Sequence, residues 1–484
     1  MTLSYIPSDT NDEGILKATA SGILPNGKPV IVNADGTVSV AGGASQSIGS
    51  TVNFNAGITD TPSSVYDANA GKIVIAYRDE SNSDYIVAIV GTLSGSSISF
   101  GTEVVVDSVP VNANNPIVYD ANAQKVVVFY YTSTGNSQKA KVGTINGTSI
   151  SFGSSTQVTT NRPESSSATY DANAQKVVYF FVDAGGFQNG GYPTAIVGTV
   201  SGTTISFGNS TAAKNAGSNY LAITYDSNAQ KVVACWQDNG NSNYGTAAVG
   251  TISGTSISFG TLVVLQSAEI ENTTATFDSV NNKVVVAYRN SSASGRGTAI
   301  VGTVSGTNIS FGTAVQFNLG VTRFTFAIFD SVSGKVVITY QDYGNSQFGT
   351  VIIATVSGTS ISFGTPVVFE AASTQTPSLA YDSSNGKVVI SYRGSSNYGR
   401  SVVLQVAYTN LTAENYIGMS TGGTYASGST ATVKIIGNTS NEQTSLTAGQ
   451  AYYVQTDGTI GTTAASPSVF AGTAISATRL IVKT

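Results

Sequence analysis

Histidine is absent from all 484 residues, which removes the commonest general base and zinc ligand and leaves only carboxylate, Lys or Tyr chemistry. The groups that could act gather just beyond a recurring ring. Tyr77, Tyr130, Phe181, Trp236, Tyr288, Tyr340 and Tyr392 each end an apolar run, and the next position holds Arg78, Tyr131, Val182, Gln237, Arg289, Gln341 and Arg393. Asp79, Asp183, Asp238, Tyr244, Asn290, Asp342, Tyr343 and Tyr398 follow within a few residues. Together they offer planar hydrogen-bonding groups and aromatic faces of the kind that bind polyhydroxylated ligands. The ligand-binding candidates are Arg78, Asp79, Tyr131, Asp183, Gln237, Asp238, Tyr244, Arg289, Gln341, Asp342, Tyr343, Arg393 and Tyr398. Packing between strands is the preferred reading of the recurring ring itself, and a solvated rim competes with binding at each polar position.

Other chemistries are poorly supplied. Asp79, Glu80, Glu164 and Asp238 could form a hydrolytic carboxylate pair, but their separation is not readable from sequence. Three arginines at equivalent positions invite comparison with sialidases, yet the Ser-x-Asp-x-Gly-x-x-Trp box is missing. Asp67-Ala-Asn69 and its counterparts look like a fragment of a calcium loop without the later Glu, so turn capping is the better account. No metal, no cofactor and no enzymatic activity are expected. Cys235 lies in a Val-rich strand and reads as a buried free thiol. The net charge of −5, without any Lys/Arg block, argues against nucleic acid. No apolar run is long enough to insert into a membrane, and the N-terminus carries acids where a signal peptide needs basic residues.

The elements that hold these groups repeat. Asp67, Asp120, Asp171, Asp226, Asp278, Asp330 and Asp382 each follow an aromatic residue and precede a short turn, Lys and a Val/Ile run, at spacings of 53, 51, 55, 52, 52 and 52 residues. Such periods mark solenoids, propellers or arrays. Each unit has four apolar segments, a to d, and near-constant length, which predicts an all-β fold: a seven-bladed β-propeller of four-stranded blades. The motif ISFG begins at Ile98, Ile150, Ile205, Ile257, Ile309 and Ile361 and is missing from the seventh unit. Residues 48–55 (Ile48 to Asn55) supply the missing strand and close the ring. The seven lysines Lys72, Lys125, Lys176, Lys231, Lys283, Lys335 and Lys387 read as hairpin-end solubility.

In that frame the a–b and c–d turns share one face and are uniform, while the b–c and d–a loops share the other and diverge, so binding is expected on the divergent face. Residues 1–47 form an N-terminal β segment suited to anchoring, 48–409 the propeller, and 410–484 a small C-terminal β domain. GKPVIVNADGTVSV and GQAYYVQTDGTIGT both read as hairpins around Asp-Gly, and their shared pattern predicts strand pairing between the two outer segments.

Three stretches, KATASGILPNGKPVIVNADGTVSV, the VGTVSGTSISFGTPVVFE-type repeats and LTAGQAYYVQTDGTIGTTAASPSVFAGTAISATRLIVK, resemble structural proteins of marine bacteriophages, including cyanophages. The resemblance implies a virion component, a tail fibre, adhesin or capsid decoration, assembled in the host cytoplasm. Its implied partners are other virion proteins and a host-surface glycan or receptor, with homo-oligomerisation left open. It carries no catalytic residues.

Overall fold

The computed structural model describes residues 14–112, 115–133, 137–183 and 191–483. The protein is all-β and antiparallel. It divides into two compact units, one of residues 47–405 and one that combines residues 1–46 with 406–484. In the second unit, strands from the two ends of the chain share a sheet.

Within 47–405 every repeat follows one pairing scheme. In the first, strand a (Thr59–Asp67) pairs with b (Lys72–Asp79), b with c (Tyr85–Ser94), and c with a two-part d (Ser97–Phe100 and Val104–Asn112). Strand a has no strand partner on its other edge, so its free amides must be satisfied otherwise. Hydroxyls of the preceding repeat do this: Leu221 N–H donates to Ser165 Oγ at 3.0 Å, Ala327 N–H to Thr274 Oγ1 at 3.2 Å, and Ser64 N–H to Ser378 Oγ at 2.9 Å. The Ser/Thr content of these strands follows from that demand.

The seventh repeat has strands a (Gln375–Asp382), b (Lys387–Arg393) and c (Gly399–Gln405). Its fourth strand comes from the other end of the unit: Ile48 pairs with Leu404 and Asn53 with Arg400. This last repeat also touches the first. Tyr66 OH lies 2.7 Å from Ser384 Oγ, and Phe54, Tyr66 and Tyr77 share a buried cluster with Ala380, Val389 and Val403.

The repeated sequence signals have local physical causes. Each Asp ends strand a, is almost fully buried, and accepts backbone N–H groups of its own turn; Asp67 Oδ1 takes those of Asn69 and Ala70 at 3.0 and 2.9 Å. The tyrosine before the Asp reaches the turn of the preceding repeat, as when Tyr119 OH accepts Asn69 N–H at 3.2 Å and Tyr170 OH accepts Asn122 N–H at 3.1 Å. The glycine of ISFG exists because the backbone of the next repeat's c–d turn lies against it. A Cβ at Gly101, Gly153, Gly208, Gly260 or Gly312 would collide with the carbonyl of Thr148, Thr203, Thr255, Thr307 or Thr359. Gly49 stands in the same relation to Ser96 of the first repeat.

Two d–a connections are not loops. Val263–Asp278 and Val315–Asp330 are continuous strands whose first halves pair with c of one repeat and second halves with b of the next. Bulges let one strand serve two sheets.

In the other unit, Ile15–Thr19 pairs with Thr430–Lys434, and Pro29–Val32 with Tyr416–Thr421. A second sheet orders Thr439–Ser440, Arg479–Val482, Phe470–Ser476, Ala451–Val454 and Ile460–Gly461. Ile31, Met419, Tyr452 and Leu480 pack in one buried cluster between them. Both Asp-Gly hairpins are built alike: Asp35 Oδ1 accepts the N–H and hydroxyl of Thr37, and Asp457 Oδ1 those of Thr459.

Candidate functional site

The recurring rings at the end of strand b are buried, at 0 to 1% exposure, so packing is their role. Four of their polar tips are tied to the strand-d segments: Tyr77 OH donates to Glu103 of its own repeat, whereas Tyr130 OH donates to Asp107 at 2.7 Å, Tyr288 OH to Gln266 at 2.9 Å and Tyr392 OH to Glu370 at 2.8 Å, each in the preceding repeat. Burial raises the pKa of each phenol.

The position after each ring lies opposite the start of strand a. Register pairs Asp60 with Arg78, Asn219 with Gln237, Glu271 with Arg289, Arg323 with Gln341, and Gln375 with Arg393. These cross-strand pairs line the divergent end of the repeats. Arg78 contacts Asp60 at 3.2 Å, Asp84 at 2.9 Å and Glu80 at 3.5 Å. Arg393 reaches the same Asp60 at 3.6 Å, linking the last repeat to the first, and donates to Asn397 Oδ1 at 3.0 Å. Arg289 meets Glu271 at 2.8 Å. Arg323 sits over the Tyr343 ring, 4.6 Å from its centroid, and Tyr343 is 38% exposed. Tyr220, also exposed, has its phenol pKa raised by partial burial and then by Glu271, against the opposing pull of Arg289 and Arg323.

Several of the candidate residues have partners within the fold. Asp79, Asp238 and Asp342 accept N–H groups of Ser81, Gly240 and Gly344 and so cap the b–c connections, and Asn290 does the same for Ala293. Asp79 and Asp238 are buried, and Asp238 also pairs with Lys214 at 2.5 Å. Gln237 is buried and donates to the Ile270 carbonyl at 2.7 Å; Gln341 and Tyr131 are buried as well. Asp183 accepts from Asn161 Nδ2. Tyr244 and Tyr398 are partly buried at the start of, or just before, strand c. The side chain of Glu164 and the connections 134–136 and 184–190 lie outside the described residues. Among the described residues no group of three or more carboxylates and thiols has metal-binding geometry. Cys235 is fully buried, and burial pushes its thiol up to about 12.

Sequence reasoning missed Asp60, Glu271 and Arg323, whose importance lies in cross-strand register. It also missed a repeated backbone feature one residue further on. Thr61, Tyr220, Asn272, Phe324 and Thr376 occupy the same place in strand a and have φ of 42°, 50°, 49°, 50° and 44°. Each falls at a bulge where the pairing with b skips. No glycine marks the site, and left-handed backbone at β-branched or bulky residues costs roughly 1 to 3 kcal/mol each. Strain repeated at one register is held by the fold around it.

No protein-family model and no curated protein matches the chain. Among solved structures it is similar to the BP39L lectin from Burkholderia pseudomallei, with a TM-score of 0.54 and 10% identity over 74% of this chain and 99% of that one. A protein of unknown function from Dyadobacter fermentans aligns with a TM-score of 0.43 and 12% identity over 81% of this chain and 100% of that one. At 10% identity the likeness to the first is one of fold.

Proposed function

We propose that residues 47–405 form a seven-bladed β-propeller of a non-enzymatic phage virion protein, whose divergent face binds a host-surface glycan or another receptor. The observation that carries the binding reading is the exposed Tyr343 ring capped by Arg323, at the same divergent end of the repeats as the ion pairs Glu271–Arg289 and Asp60–Arg393. Flat aromatic faces flanked by bidentate donors and acceptors suit a polyhydroxylated ligand. The fold neighbour's being a lectin is in keeping with this. The virion assignment rests on the resemblance of the repeats and both ends to marine phage structural proteins. Many weak contacts multiplied by copy number on a particle would give useful avidity.

A second reading, a capsid decoration or fibre subunit with purely protein contacts, is favoured by Leu319, which is 73% exposed on the connection preceding strand a of the sixth repeat. The two readings separate on one experiment. The purified full chain is applied to an array of bacterial surface polysaccharides and, in parallel, used to compete with particles for adsorption to cells. Saturable polysaccharide binding and blocked adsorption are expected. Neither effect, together with particle localisation on the capsid shell, would replace receptor binding by the decoration role.

A further inference from the structure

The strands a of all seven repeats enclose a cavity of about 320 Å³, room for roughly ten water molecules. Its wall begins one residue inside the charged rim, at Thr61, Phe324 and Thr376. Among the described residues the lining holds no Asp, Glu, Lys or Arg. A charged ligand would find nothing there to neutralise it.

The wall is chemically two-sided. Ser167 Oγ and Thr274 Oγ1 accept backbone N–H groups of Ile223 and Ala327, at 3.4 and 3.2 Å, so each hydroxyl keeps its own proton to donate. On the sixth repeat the register changes character. Where repeats one, three and seven carry Ser63, Ser167 and Ser378, the sixth carries Phe326, a residue 39% exposed on the wall of the cavity. Phe324, two residues earlier and held at positive φ by the bulge, lines the same wall. Water would satisfy the hydroxyls but would leave the phenyl faces wetted at a cost. A molecule with apolar C–H faces and hydroxyl edges matches both sides.

We propose that this cavity binds one neutral pyranose-sized unit, stacked on Phe326 and hydrogen-bonded by the serine and threonine hydroxyls of the other repeats. The inference rests on the glycan reading of the divergent face and places the end residue of the ligand inside the ring of strands.

The test uses the full chain and isothermal titration with methyl pyranosides of glucose, galactose, mannose and N-acetylglucosamine. At least one is expected to bind at one site per chain. Phe326→Ser, which installs the residue of three sister repeats and so preserves folding, should weaken that binding roughly five- to tenfold, and Phe326→Tyr should restore it. Binding of none of the four, or an unchanged affinity in Phe326→Ser with an unchanged melting temperature, overturns the proposal. Polysaccharide binding that persists in Phe326→Ser while no pyranoside binds would defeat the cavity proposal alone. Pyranoside binding without any polysaccharide or cell attachment would defeat the receptor reading instead.

Discussion

Replacing Gly49 with Ala should damage the junction between the two ends of the 47–405 unit, whereas the same change at Gly364 should not. Both glycines follow an apolar residue in strand d, but their surroundings differ. A Cβ at Gly49 would fall on the Ser96 carbonyl oxygen of the first repeat, while a Cβ at Gly364 meets nothing nearer than the Ile353 oxygen at 3.6 Å, because the seventh repeat has no c–d turn to press against it. Relieving the first clash means moving backbone, at about 1 to 3 kcal/mol. It also strains the hydrogen bond from Gly49 N–H to the Val403 carbonyl at 2.8 Å, worth about another 1 kcal/mol. For a unit of roughly 360 residues, an unfolding entropy of about 0.75 kcal/mol/K converts 2 to 4 kcal/mol into about 3 to 5 °C. Scanning calorimetry of the full chain should show that drop for Gly49→Ala and a change within about 1 °C for Gly364→Ala. Equal melting temperatures would refute the account of how the last repeat meets the first.

Arg78→Ala should cost about 1 to 2 kcal/mol, more than an exposed substitution, because it leaves Asp60, Glu80 and Asp84 crowded without their main cation; adding Asp60→Asn should recover part of the loss in a denaturant titration. Glu442 should make the unit of residues 1–46 and 406–484 acid-sensitive. Burial alone would raise its pKa, but hydroxyls of Thr421 and Ser440 and the Lys434 ammonium outweigh that and hold it below the ordinary 4.5. The unfolded chain therefore binds the proton more readily, so the stabilisation is present above about pH 4.5 and fades as pH falls through the folded pKa. Glu442→Gln should flatten the melting temperature against pH between about 5 and 3, on the order of one carboxylate's worth. Cys235 should resist thiol reagents in the native protein and react at the rate of unfolding, a contrast read directly with a chromogenic disulfide.

Much of the strand arrangement was legible because it is written in covalent order. An Asp with Asn or Ser two residues on has few uses other than bonding its own turn, and the gap in the ISFG series pointed to Ile48 and its neighbours as the missing strand. The site was less legible because a polar residue at a strand end looks the same whether it binds a ligand or caps a connection. Asp79, Asp238, Asn290 and Asp342 proved to be caps. Asp60 lies 18 residues before Arg78 and meets it only through antiparallel register, which depends on a bulge that no glycine announces. The serines of strand a look solvent-facing in sequence, yet their oxygens serve the free backbone edge of a neighbouring repeat.

The most direct measurement compares two variants of the full chain for binding to whichever bacterial polysaccharide the array identifies, by surface plasmon resonance. Arg323→Ala with Tyr343→Ala removes the exposed stacked pair on the divergent face; Val280→Asp with Val332→Asp alters exposed residues of the uniform a–b turns. The account predicts at least a roughly tenfold loss for the first variant, as expected when an exposed aromatic and an arginine anchor are both removed, and an unchanged affinity for the second. Binding that survives in the first and disappears in the second would put the contact on the opposite face and contradict the account.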